Sequence, residues 1–556
     1  MKVVIIGGVA AGPKIASKIM RNNPESEVTV IEKGEFLSYA GCGLPYYISG
    51  EIENQAELMA TPVGTIRDTA FFQKVKNVNV LNHTEAVSVD RDKKSVKIRK
   101  EDGSFEDIDY DKLVLATGAV PSRPPIPGID MKNIFTLHGV EDAEGIKSML
   151  GDRKALDCVI VGGGLIGVEV AEALTECGCR VTMVEMQNHI LGMLDPEMAA
   201  IVEKYLESKG VQVLTSTTVK EFNGDGVVQN VITDKKTLNA DLVVLAIGVR
   251  PNVKLAVDAG LKIGETGAIK VDSKMCTSDP DIYASGDCCE SVNVITGKPC
   301  FVPLGSTANK QGRVAANNIC GIDDSFPGVA GSSVCKIFDF SVARSGLGEK
   351  SALNDGFEPV CCYAPAPDKA HFIKSARPLF LKLIADKKSR KILGAQAVGL
   401  GVADKRMDVV ATALSAGLTV DQLANLDLCY APPFSPAVDN ILTAANILRN
   451  KLDGRMVGIT ADEVKAQIDN NQKMLLLDVR SPGELEQLPT IPGALNIPLG
   501  KLRNELDKLG DDQGIEIIAF CKISLRGYEA SIILKNAGFN NVKVMEGGML
   551  MWPYKK

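Results

Sequence analysis

Two cysteines stand where a sulfur could be put to work. Cys42 lies between two glycines in FLSYAGCGLPYYISG, residues 36–50, a loop with no second cysteine. Cys521 ends the apolar run IIAFC, and Arg526 follows five residues later in CKISLR. The thiolate, not the thiol, attacks sulfur, so each cysteine needs surroundings that favour the anion. At Cys521 an apolar strand gives way to a helix within a few residues, so loop amides and a helix N-terminus converge on the sulfur while Arg526 adds positive charge. Such a cradle lowers a thiol pKa and can hold a persulfide or an anionic sulfur donor. At Cys42 the glycines keep the loop small and open to approach. The bland alternative for Cys42 is a buried spectator thiol.

The elements around Cys42 read as nucleotide-binding units. KVVIIGGVAAGPKIASKIM is a strand, a glycine turn with Gly7, Gly8, Ala10 and Ala11, and a helix; EVTVIEK is a second strand ending in Glu32, 25 positions after Gly7. In this βαβ pattern the turn and helix N-terminus hold a pyrophosphate and the acidic residue accepts from a ribose hydroxyl. Val9 replaces the second glycine of G-x-G-x-x-G. The pattern recurs in CVIVGGGLIGVEVAEALTECGCRVTMVEM, where Gly162, Gly164 and Gly167 fill all three glycine positions, with Ile166 in the turn and Glu185 ending the next strand. One copy could be glycines that only shape a tight turn; two copies predict two dinucleotides in one chain. Glu185 repels a 2′-phosphate and welcomes a 2′-hydroxyl, and MQNH after it offers no arginine, so NADH is favoured over NADPH.

At 556 residues the chain requires several domains. A net charge of −7 gives no reason to expect nucleic acid or an anionic membrane as partner, which leaves small molecules. MKVVIIGG runs straight into a buried-strand pattern, without the architecture of a signal peptide, and no apolar run reaches the ~18 residues of a membrane span, so a soluble cytoplasmic protein is expected. The 14 cysteines are no disulfide framework, and the close pairs Cys177/Cys179, Cys288/Cys289 and Cys361/Cys362 lack C-x-x-C spacing, so no metal site is expected. RDKKSVKIRK (91–100) and ADKKSRK (385–391) read as exposed hairpin charges.

With LVLATGAVP (113–121), LVVLAIGVRPN (242–252) and DIYASGDC (281–288) in this order, residues 1 to about 450 resemble a pyridine nucleotide-disulfide oxidoreductase of the two-dinucleotide, FAD-containing kind. The resemblance implies FAD in the first unit, with Lys33, Ser38, Thr117, Gly118, Asp287, Pro303 and Ala308 joining the residues of the first turn and Glu32 around it. It implies NADH in the second, with Gly248 and with Glu169 near nicotinamide and flavin. Most of that superfamily carries C-x-x-x-x-C with a distant histidine base; here Tyr47 stands five residues after Cys42 and the whole chain has four histidines, so the dithiol mechanism is excluded. SYAGCGLPYYISG resembles the single-cysteine branch of coenzyme A-disulfide reductases, persulfide reductases, and NADH oxidases and peroxidases. There an electron-poor flavin favours the Cys42 anion, and hydride from NADH passing through FAD reduces a capped Cys42.

The segment after NILRNKLDG reads as a linker, and TADE (460–463) is a capping-box signature opening a new helix. MLLLDVRSPGEL, IPGALNIPL and IIAFCKISLRGYEASIILKNAGF resemble a single rhodanese domain with the six-residue loop of sulfurtransferases. Its usual G-H-I is here PTI (489–491). An inactive docking module is the alternative for this domain.

The expected fold is α/β: two Rossmann-like dinucleotide-binding domains (FAD, 1–112 and 246–326; NADH, 113–245), an α+β interface domain (327–450), a linker (451–456) and a C-terminal α/β rhodanese domain (457–556). The resemblance implies a homodimer in which Tyr430 of YAPPFSP reaches the other subunit's active site, and it places coenzyme A phosphates near Lys14, Lys18, Arg21 and Ser38. A lone thiol that accepts sulfur, fused to a domain that carries it, predicts a persulfide or polysulfide reductase. Coenzyme A-disulfide reduction is the nearest rival, weakened by Phe372 and Ile373 where its enzymes carry paired tyrosines and by Val438 where they carry a lysine. NADH oxidase and a sulfur-carrying or redox-sensing module are the others.

Overall fold

The computed structural model describes residues 1–151, 155–510 and 512–554. The chain divides into two compact units, Met1–Gly192 with Glu203–Gly331, and Met193–Val202 with Ser332–Lys556.

The first unit is built on two parallel five-stranded sheets. One runs Ile282–Ala284, Lys112–Leu115, Lys2–Ile6, Glu27–Ile31, Asn79–Leu81. The apolar runs KVVII and KLVL lie at its centre because both faces are covered; each fully buried Val or Ile contributes roughly 1.5–3 kcal/mol. The edge strand Ile282–Ala284 pairs in parallel with Lys112–Leu115, so a late segment completes the sheet that the N-terminus begins. The other sheet runs Gln212–Leu214, Arg180–Val184, Asp157–Val161, Leu242–Leu245, Ile134–Phe135. Between them an antiparallel pair, Ala119–Pro121 with Val249–Pro251, carries the chain out of one fold and back. Each half adds a three-stranded antiparallel meander, and RDKKSVKIRK falls on the first of these.

In the second unit a largely antiparallel sheet runs Ser333–Ile337, Phe340–Gly346, Ile392–Gly399, Pro378–Asp386, Pro359–Tyr363. A parallel sheet follows in the order Gly458–Ile459, Val542–Met545, Glu516–Phe520, Met474–Asp478, Leu495–Asn496, with apolar clusters on both faces. Thr460 caps helix Ala461–Asp469 and Glu463 bonds back to it, the capping box that TADE predicts. The stretch 451–456, expected as a linker, differs: helix Asn440–Leu452 continues through its first two residues, and half-buried Lys451 pairs with buried Glu546.

Candidate active site

The Cys42 loop is held by small residues. Gly41–Gly43 form a short 3₁₀ turn, and a Cβ on Gly43 would lie 2.6 Å from Leu58 Cδ2, so any larger residue would have to displace that leucine. Helix Leu44–Ser49 follows, ended by Gly50 at φ 87°. The helix is fixed by the tyrosine that stands where a second cysteine would be. Tyr47 donates its hydroxyl to Glu144 (2.6 Å), while Lys147 lies 3.8 Å from its ring centroid and donates to its carbonyl (3.1 Å). Neither Glu144 nor Lys147 carries a sequence signal, because each acts only through the packing of its helix.

Cys42 is exposed at its surface, yet the protein crowding its other side pushes the thiol up, and the Glu169 and Asp287 carboxylates push it further. The structure therefore brings together three residues from three segments: the first loop, the helix after the second glycine turn, and the SGDC turn. Burial raises Glu169 to about 7, with Glu172 adding to it, and Asp287 to about 6. The chain's own charges thus oppose the Cys42 anion, the reverse of the setting expected for this thiol, because the fields of two carboxylates distant in sequence reach it.

Both glycine turns fit a dinucleotide. Gly7 (φ 116°) and Gly162 (φ 105°) make the tight turns, and a Cβ on Gly12 or Gly167 would sit 1.9 or 2.1 Å from the carbonyl of Gly7 or Gly162. Gly164 has no such steric duty: nothing lies within 4 Å of the place its Cβ would take, which leaves room for a pyrophosphate to approach the backbone. Helices Ala11–Asn22 and Leu165–Glu176 start without a side-chain cap or an acidic residue in the first turn, so their leading amides remain available to an anion. Glu32 accepts from Gly8 and Gly34 amides (2.6 and 2.8 Å), and Glu185 repeats this with Gly163 and Gln187 (both 2.7 Å). Each carboxylate is oriented by the turn it faces and keeps further lone pairs for a ribose hydroxyl.

Around the first turn, the Cβ position of Gly286 lies 3.3 and 3.4 Å from the Cβ atoms of Ala11 and Ala308, and Gln311 holds the Gly286 amide (2.8 Å). Ser38 takes φ 51° and bonds the Gly8 carbonyl through its amide. Thr117 donates to the Asn252 carbonyl (2.7 Å), and Gly118 and Gly248 have positive φ beside the crossing strands. Pro303 stands two residues before helix Gly305–Ile319, and Lys33 is exposed after the second strand. Lys14 and Lys18 are half-buried and Arg21 exposed on helix Ala11–Asn22.

In the second unit Cys521 directly follows strand Glu516–Phe520 and is fully buried. Ser524 turns the loop at φ 100° into helix Leu525–Asn536; strain of this kind persists where the surroundings enforce it. Arg526 is not free to face the sulfur alone. It forms a fork on Glu484 (2.7 and 2.6 Å), which holds that carboxyl down at about 2. Glu484 also accepts from the Ser481 amide and hydroxyl (3.1 and 3.0 Å), so one carboxylate both caps its own helix and holds Arg526. Thr490 of PTI donates to buried Asp478 (2.6 Å), which also grips Arg480, so the departure from G-H-I keeps a donor at that carboxylate. Tyr430 is exposed, near exposed Phe434 and Val438 in sequence, and Phe372 is exposed as well.

Residues 1–312 match the family profile described as pyridine nucleotide-disulphide oxidoreductase, 332–441 its dimerisation domain, and 460–554 the rhodanese-like domain. The chain is 38% identical over 448 residues, 80% of its own length and 98% of the relative's, to a CoA-dependent NAD(P)H sulfur oxidoreductase of Pyrococcus abyssi. It is also similar to the solved structure of an NAD-dependent persulfide reductase from A. fulgidus (46% identity, TM-score 0.95, 99% of this chain and 100% of that one). A third likeness is to reduced CoADR-RHD of Bacillus anthracis (37% identity, TM-score 0.93, 99% and 97%).

Proposed function

The chain belongs to the pyridine nucleotide-disulphide oxidoreductase family and carries a rhodanese-like domain, and on that premise we propose that it is an NADH-dependent flavoprotein reductase of persulfides and polysulfides such as coenzyme A persulfide. The observation that carries this reading is the single exposed thiol Cys42 on its glycine loop in one unit of a chain whose other unit holds Cys521 between strand Glu516–Phe520 and the helix that bears Arg526.

The Cys42 thiolate attacks the outer sulfur of R–S–SH. The S–S bond breaks, R–S⁻ leaves and takes up a proton, and Cys42 keeps a persulfide. Two electrons from NADH then cleave that S–S bond, releasing hydrogen sulfide and restoring the thiolate, so that R–SSH + NADH + H⁺ gives R–SH + H₂S + NAD⁺. FAD, when bound, supplies the two-electron relay between nicotinamide and sulfur. The residues that hold it are Gly7, Gly8, Ala10, Ala11, Glu32 and the turns at Thr117–Gly118 and Gly286–Asp287. Gly162, Gly164, Gly167 and Glu185 take NADH, and the Glu185 carboxylate disfavours a 2′-phosphate. Lys14, Lys18 and Arg21 receive coenzyme A phosphates. Cys521 delivers sulfane sulfur from donors that do not reach Cys42.

The domains divide at 1–112 with 246–326, 113–245, 327–450 and 457–556. The protein works as a cytoplasmic homodimer, with the exposed Tyr430, Phe434 and Val438 against a second copy; among the described residues no helix is long and apolar enough to cross a membrane. The deciding experiment is anaerobic NADH oxidation with coenzyme A persulfide and coenzyme A disulfide at matched concentrations. Faster turnover of the persulfide with sulfide released is expected; equal or faster turnover of the disulfide overturns the reading in favour of disulfide reduction.

A further inference from the structure

Glu546 directly follows strand Val542–Met545 and is almost wholly buried. Its carboxylate faces the backbone so closely that a Cβ on Gly458 would lie 1.9 Å from Oε1, and its other oxygen has no hydrogen-bond partner among the described residues. An ionised carboxylate is not left in such a place without a counter-charge. Lys451, near the end of helix Asn440–Leu452, supplies it: its ammonium donates to Glu546 and, at 2.6 Å, to the carbonyl of Cys361 on strand Pro359–Tyr363. That strand is tied down in turn, since Tyr363 donates to Glu197 (2.7 Å), and Glu197 together with Asp195 and Glu349 surrounds the buried Lys382 ammonium.

On its other side Glu546 leads into the backbone that grips the sulfur loop. Gly547 turns the chain at φ 71°. Gly548 passes so close that its Cβ would lie 2.4 Å from the Cys521 carbonyl and 2.8 Å from the Ile523 amide. Met549 and Leu550 then donate their amides to the carbonyls of Cys521 and Lys522 (2.9 and 3.1 Å). Ser524 donates its hydroxyl to the Met545 carbonyl (3.4 Å). The Lys451–Glu546 pair thus links the interface sheet to the segment that shapes the Cys521 loop.

We propose that Lys451 and Glu546 are positioning residues for Cys521: their ion pair registers the sulfur loop on the interface domain, so the loop has its working shape only while Lys451 holds Glu546. This rests on the reading of Cys521 as the sulfur carrier. The test uses full-length holoenzyme, with Lys451→Met, Glu546→Gln, the double variant and Lys451→Arg. The probe reaction at Cys521 is thiosulfate with cyanide: the Cys521 thiolate takes the outer sulfur and releases sulfite, and cyanide removes that sulfur as thiocyanate and restores the thiolate.

Each single neutral variant is expected to lower kcat for this transfer about tenfold with KM within about twofold, the pattern of misplaced catalytic geometry. The double variant should lose less than the product of the two singles, because no uncompensated charge stays buried. Lys451→Arg should recover most of the rate, and NADH-driven reduction of coenzyme A persulfide at Cys42 should stay within about twofold throughout. Emission from Trp552, the chain's single tryptophan, reports whether the domain core is intact. Should the neutral variants not fold, Gly458→Ala displaces the carboxylate without removing a charge and is expected to lower the same kcat. Unchanged kcat in folded variants, losses that simply multiply, or an arginine variant no better than methionine overturns the proposal. A wild type that transfers no sulfur overturns instead the assignment of Cys521.

Discussion

Cys42 and Cys521 are both loop cysteines followed by a helix, yet their surroundings are opposites. Cys42 is exposed on one side, and burial on the other together with the Glu169 and Asp287 charges pushes its thiol up. Cys521 is buried, with Arg526 nearby but forked on Glu484. The difference matches the partners each must meet. A thiol that receives substrate and electrons has to be reachable, and its reactivity can be left to what binds beside it. A thiol that stores sulfur on the chain is served by an enclosed loop whose charge is already arranged, because preorganised dipoles need no reorganisation at the moment of transfer.

The comparison breaks most sharply at the cysteines themselves. Cys42→Ser is expected to lower NADH oxidation with every sulfur substrate by on the order of a thousandfold, since no second thiol stands on that loop to replace it. Appreciable residual turnover with any persulfide would mean the two sites are not divided in this way. Cys521→Ser should cost about a hundredfold or more in sulfur transfer from thiosulfate and leave reduction of a free low-mass persulfide within about twofold. Equal loss in both assays would show a shared path and erase the contrast.

Smaller changes sharpen it. Glu484→Gln loosens the Arg526 fork and should lower sulfur transfer about tenfold. The carboxyl sits at about 2 in the fold against an ordinary value of 4.5, so the pair's contribution is complete above pH 4.5 and fades as pH falls toward 2. Sulfur transfer followed between pH 5 and 8 should accordingly show no transition from this group. Glu169 runs the other way: raised to about 7, it is neutral below that pH and charged above it, and the stability it withholds grows as pH rises from 4.5 through 7. Glu169→Gln should lower the Cys42 thiol pKa, raise its alkylation rate at pH 8 by about two- to fivefold, and remove an inflection near pH 7. An alkylation profile identical to wild type would show that the carboxylate does not bear on Cys42.

Local chemistry was legible in residue order where a function is written into adjacent residues. The two glycine turns, the acidic strand ends Glu32 and Glu185, the capping box at Thr460 and the strand–Cys521–helix loop all obey short-range rules of backbone geometry, so the chain announces them. The partners that tune those groups were not legible: Glu144 and Lys147 on Tyr47, Glu484 on Arg526, Lys451 on Glu546; Glu169 and Asp287 were named for the flavin site, but their opposition to the Cys42 anion was not. Each is a charged residue whose neighbours in sequence do not say which group it will act on. Residue types and spacing therefore determined two glycine turns of the dinucleotide-binding kind, one lone loop thiol at Cys42 and one strand–cysteine–helix loop at Cys521. Only the tertiary structure decided how those sulfurs are biased, because the field at a side chain depends on charges a few ångströms away in space, however far along the chain they lie.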